Sequence, residues 1–217
     1  MLDPFGDTEV ASTTLLVLLT VPLGVLVLAV IILAAGRGEP DTTGRRAFAV
    51  YLGAVNFVAV FTLVFASFAT VQSLASLVVD GTNEDAAVWG AVQAGLIVGA
   101  AVIVLVFHTR RRRELRADTE FVAGVPAWRI DRAYLYAVCF VAVLVALFAL
   151  GAGAYGGFRV LAPGVTGEFV SHHHERQEGV AQLIPQIWLG LAALYVFVRA
   201  WREVTADPVG VLGPRSS

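Results

Sequence analysis

Polar and apolar positions alternate along this chain in long blocks rather than at short period. Five stretches carry no charged side chain at all: residues 13–35, 47–79, 86–108, 133–158 and 180–198. Each is at least 19 residues long. A helix rising about 1.5 Å per residue crosses roughly 30 Å of hydrocarbon in about 20 residues. The pattern therefore predicts an all-α polytopic membrane bundle with five transmembrane helices, forming a single membrane domain over residues 1–217. The longest connection, residues 109–132, has room for one short interfacial helix and no folded domain.

Composition agrees. Hydrophobic residues make up 58% of the chain and charged residues 15%, with a mean hydropathy of +0.77. A soluble domain of this length carries about 25% charged residues. All 15 basic residues are arginine, a usage that points to a GC-rich prokaryotic genome. The lone Cys139 falls inside a span, so no disulfide framework is expected. Residues 1–12 hold Asp3, Asp7 and Glu9 and no basic residue, unlike the positive start of a cleavable signal, so the first span is expected to remain.

Arginine placement sets the expected orientation. Arg37, Arg45 and Arg46 lie between the first two spans. Arg110, Arg111, Arg112, Arg113, Arg116, Arg129 and Arg132 lie between the third and fourth, and Arg199, Arg202 and Arg215 follow the fifth. The other side has only Arg159 and Arg176. Arginine-rich short loops stay in the cytoplasm, which predicts a plasma-membrane protein with its N-terminus outside and its C-terminus inside.

The second and third spans read as one copy of a hairpin, and the fourth and fifth as another. Arg46-Ala47-Phe48 corresponds to Arg132-Ala133-Tyr134, while Arg110, Arg113, Glu114 and Gln93 correspond to Arg199, Arg202, Glu203 and Gln182. Both copies run in the same direction, which makes this a parallel repeat with the first span outside it. Arg132-Ala133-Tyr134-Leu135-Tyr136 and the closing Ala200-Trp201-Arg202-Glu203 resemble a prokaryotic integral-membrane domain family of unknown function. Its paired helices open with an Arg-x-Tyr-x-Tyr signature and end in Trp/Arg-rich turns. The resemblance covers the second to fifth spans, is degraded at Phe48 and Val50, and implies no activity.

Three sets of residues are candidates for a role. Helix packing in lipid depends on small residues and polar bonds. Ala91, Gly95 and Gly99 form a small-residue stripe, and Gly153 and Gly157 repeat its spacing. Asn56, Gln93, Gln182 and Gln186 are the strongest polar groups inside the spans and are expected to bond between helices. Pro22 should kink the first span and Pro185 bend the entrance of the fifth. The second span exceeds what a crossing needs, so it should tilt or end near Ser73–Ser76.

The second set is Ser171-His172-His173-His174-Glu175-Arg176-Gln177-Glu178. If the last helix starts early, Ser171 caps it, and His174 and Glu178 share a face at i, i+4. His172, His173, His174 and Glu178 are the candidate metal ligands, with donor types that suit Zn, Cu or Ni. Consecutive histidines on a helix point about 100° apart, so further ligands would be needed, and a solvated polar turn is the simpler reading. A haem between facing histidines does not fit, because His108 lies at the opposite membrane surface. No other cofactor is expected.

The third set, Arg110, Arg111, Arg112, Arg113 and Arg116, reads as an anchor for anionic headgroups at the inner face. Interleaved aromatics for stacking bases are missing, so no nucleic acid is expected. The spans contain no Asp, Glu, Lys or Arg, the groups on which ion-coupled transporters usually rely. A structural or accessory component that packs against a membrane partner or its own copies fits best. A small-solute transporter or channel, and an outward metal sensor using the histidines, are the alternatives.

Overall fold

A computed structural model describes residues 44–79, 84–117, 125–164 and 171–206, together with Leu26 and Ala29. The described chain is helical: α1 (Arg45–Val79), α2 (Glu84–Ala117), α3 (Val125–Leu161) and α4 (His172–Thr205). All four are long and apolar enough to cross a membrane. They contain the second to fifth expected spans; the first span, with Pro22, lies outside the described residues save for Leu26 and Ala29.

The helices overrun the charge-free stretches, and this corrects several sequence expectations. α1 continues through Ser73 and Ser76 to Val79, because both Ser76 and Thr70 hydroxyls bond back to carbonyls one turn earlier and need no break. The arginine run lies on the last turns of α2 rather than in a loop. α3 begins at Val125, with Pro126 in the first turn, where its missing N–H would be unpaired anyway. The connection expected to hold a separate interfacial helix is therefore taken up from both sides by α2 and α3. α4 starts at His172, eight residues before its charge-free stretch, with Ser171 as its cap: the Ser171 hydroxyl accepts the His174 N–H at 3.4 Å.

Helices of 34 to 37 residues are about 50 Å long, longer than the roughly 40–45 Å of a bilayer with its headgroups. Each is therefore longer than one perpendicular crossing requires. The neighbours in sequence form antiparallel hairpins, α1 with α2 and α3 with α4. α1 also packs against α3 and α4, which makes it the central helix and the most buried one. α2 touches only α1 extensively and is the least buried.

The core is a seam of Leu52, Phe57, Phe61, Val64 and Phe68 from α1, Ile130, Leu135, Val138 and Ala142 from α3, and Leu189, Ala193 and Ala200 from α4. Alanines on α4 bring its backbone close to the bulkier α1 and α3, the small-against-large arrangement that dispersion favours where lipid supplies no hydrophobic drive. Most large apolar side chains of α2, including Trp89, Leu96, Ile103 and Phe107, are exposed outward, as a lipid-facing helix requires.

Candidate functional site

The end of α2 gathers α3 and α4 around Arg112. Its guanidinium, only 12% exposed, lies 2.6 Å from the Asp131 carboxylate on α3 and 3.7 Å from Glu203 on α4. It also stands over the Tyr134 ring, 4.2 Å from the centroid, a cation–π contact strengthened by exclusion of water. Tyr134, the first tyrosine of the Arg-x-Tyr-x-Tyr signature, is itself packed along α1 beside Gly53, where a Cβ would meet its ring carbons at 3.7 Å. Of the arginines expected to anchor headgroups, Arg110, Arg111 and Arg113 are exposed at the end of α2. Arg112 instead turns inward and ties three helices together. The 100° step between neighbours on a helix makes one member of a four-arginine run face the bundle; nothing in the run itself marks which.

Asn56, on α1, is buried close by. Its amide donates to the Leu52 carbonyl at 2.9 Å, and its oxygen accepts the Thr109 hydroxyl of α2 at 3.4 Å. This is the interhelical bond expected of it. Gln93 faces outward on α2. Gln182 and Gln186 lie on the side of α4 that meets α3, beside Gly156 and Gly153. The Gln186 carbonyl oxygen is buried without a hydrogen-bond partner among the described residues.

Above this level α2 and α4 diverge, and a cleft of about 570 Å³ opens between them against α1 and α3. Its walls are apolar: Val60, Leu63 and Val64 of α1, Leu105 of α2, Val138 of α3 and Leu191 of α4. One end is closed by Ser67 and Trp188, joined by an indole-to-hydroxyl bond of 3.1 Å. The other end is polar, formed by Asn56, Thr109, Arg112, Tyr134, Arg199 and Glu203. No spacing in the sequence reveals the cleft, since its residues come from four helices.

The opposite end of the bundle is organised around α4's first turns. Glu178 accepts from Arg159 of α3 at 2.5 Å and pairs with His174 at 3.0 Å. Glu175, fully buried, accepts the backbone N–H of Gly164 at 2.5 Å. Gly164 has φ +88°, a conformation open to glycine, and a Cβ there would strike the His172 ring. The candidate metal ligands are thus spread: His172 lies over Gly164, His173 is exposed, and His174 and Glu178 bond to each other. Among the described residues, no three His, Cys, Asp or Glu side chains come together as a metal-holding group.

The small residues divide in the same way. Gly153 meets the Cβ of Gln186 at 3.4 Å, and Gly156 and Gly179 bring the backbones of α3 and α4 together. At Gly157, Gly95 and Gly99 a Cβ would meet nothing within 4 Å. The face of α2 that packs on α1 carries the buried Ala94 and Ala101, about a quarter turn away from Gly95. Ala91, half-buried, sits at its edge. The stripe expected to pack therefore looks away from the other described helices.

Compared with family models, curated proteins and solved structures, the chain matches none of them. A multi-pass helical membrane protein is the class that the described helices define.

Proposed function

We propose that this chain is an accessory component of a prokaryotic plasma membrane, N-terminus outside, whose role is to bind another transmembrane helix rather than to catalyse a reaction. The bare Gly95–Gly99 face of α2 carries this reading. Helices in lipid approach closely where small residues lie four apart, because backbones can then touch and dispersion replaces the missing hydrophobic drive. Elsewhere in this protein such residues serve that purpose, as Gly156 and Gly179 do between α3 and α4. On α2 the same device lies on an exposed face between Leu96 and Ile103.

The test is capture of the occupant. A Gly95→Cys variant, in a Cys139→Ala background, is cross-linked in native membranes. The expected product is a dimer or a complex with one other membrane protein, lost in Gly95→Leu/Gly99→Leu. Cross-linking confined to residues 13–35 of the same chain would refute the reading, since the face would then be filled internally. The outward placement of the α1–α2 turn is tested separately: a cysteine at Glu84 should react with impermeant reagents in intact cells.

A further inference from the structure

We propose that the cleft between α2 and α4 is a lipid site, holding one acyl chain of an acidic phospholipid with its headgroup beside Arg199. Three observations converge. The first is dimension. The cleft runs from Asn56 to Ser67 along α1 and from Trp188 to Glu203 along α4, about 16 Å and about 22 Å at 1.5 Å per residue, between half and three quarters of a roughly 30 Å hydrocarbon core. A pocket of this depth, beginning at the headgroup level, matches a lipid chain standing upright.

The second is the order of polarity. Leu63, Val64, Leu105, Val138 and Leu191 line the body; at the far end the Ser67 hydroxyl and Trp188 indole bond to each other, Tyr195 stands part-way along, and the charged groups gather only at the inner end. A small polar solute would find no partners along most of this length.

The third is charge. Arg199 lines the polar end with its side chain half exposed, and its ion pair with Glu203 is stretched to 4.0 Å. Arg112, by contrast, is held by Asp131. In the full sequence the segments on this side carry 13 arginines against 8 acidic residues. This field favours an anionic headgroup over a zwitterionic one, and Arg199 is the guanidinium placed to meet it.

Trp188, on the cleft wall, is a built-in reporter. The purified protein, with Trp89, Trp128 and Trp201 replaced by Phe, is reconstituted into vesicles containing increasing fractions of phosphatidylglycerol or phosphatidylcholine with brominated acyl chains. Quenching of Trp188 should reach half its limit at about fivefold lower fraction for phosphatidylglycerol, the preference one arginine supplies near a membrane surface. Arg199→Gln, a substitution at an exposed position, should bring the two lipids to parity. Ala192→Phe, which fills the cleft, should reduce quenching by both. Equal quenching by the two lipids in the parent protein overturns the proposal. So does a preference that survives Arg199→Gln, or the absence of quenching by either lipid, which would mean that protein covers the cleft. The experiment needs no partner protein, so it stands apart from the reading of the α2 face.

Discussion

Replacing Gly179 by alanine tests the close backbone approach of α3 and α4. In a helix interior alanine is favoured over glycine by about 0.5–1 kcal/mol, because glycine loses more backbone freedom. On propensity alone Gly179→Ala should stabilise. Its Cβ, however, would lie 3.0 Å from the Gly156 carbonyl oxygen, 3.1 Å from the Arg159 Cβ and 2.9 Å from Val160 Cγ2. The valine methyl can rotate away; the backbone oxygen can move only if α3 and α4 separate. Overpacking of this kind costs typically 1–3 kcal/mol, so the net expectation is a loss of up to about 2 kcal/mol. Gly157→Ala is the matched control on α3, where a Cβ meets nothing within 4 Å and propensity acts unopposed. The two variants should differ by about 1–3 kcal/mol, roughly a 5- to 150-fold difference in unfolding equilibrium. Cys139 is buried and is the protein's one thiol, so its reaction with a fluorogenic maleimide during heating in detergent reports unfolding directly. Gly179→Ala should unfold at lower temperature than the parent and Gly157→Ala at equal or higher temperature. If Gly179→Ala matched or exceeded Gly157→Ala, α3 and α4 would not approach as described around Gly156 and Gly179.

Two further expectations use the same assay. Arg112→Leu leaves the Asp131 and Glu203 carboxylates without their shared partner between helices and should cost about 3 kcal/mol, the scale of breaking a largely desolvated ion pair. Glu114→Ala removes only an exposed pair with Arg111 and should stay within about 0.5 kcal/mol; equal effects would show that Arg112 is solvated. Glu175→Ala removes the buried acceptor of the Gly164 N–H and should cost about 0.5–1.5 kcal/mol, whereas Glu175→Gln keeps an acceptor and should retain much of that stability. Equal losses in the Ala and Gln variants would place the role of Glu175 in its charge instead.

The charge-free blocks alone determined four of the helices now described, because a run of some 20 uncharged residues has no other stable fate in hydrocarbon than a helix with its backbone bonds satisfied internally. The early start of α4 was legible too, through the Ser171 cap and the His174–Glu178 spacing, since caps and i, i+4 pairs are local. Asn56 could be singled out for interhelical bonding for the same kind of reason: an amide in an apolar run must find a partner, and its oxygen accepts the Thr109 hydroxyl. Helix ends were less legible, because charged residues at membrane surfaces continue a helix as readily as they end it. What only the tertiary structure decided is which side of each rod meets another. The sequence marks Gly95 and Gly99 as strongly as Gly153, yet only Gly153 meets a neighbour among the described helices. It marks four consecutive arginines alike, yet Arg112 alone turns into the bundle. In soluble proteins an apolar stripe against a polar one reveals the buried face; here both faces are apolar, since lipid and protein interior make nearly the same demand. The cleft, built from the gaps left by that choice of faces, follows from packing and from nothing written in any one segment.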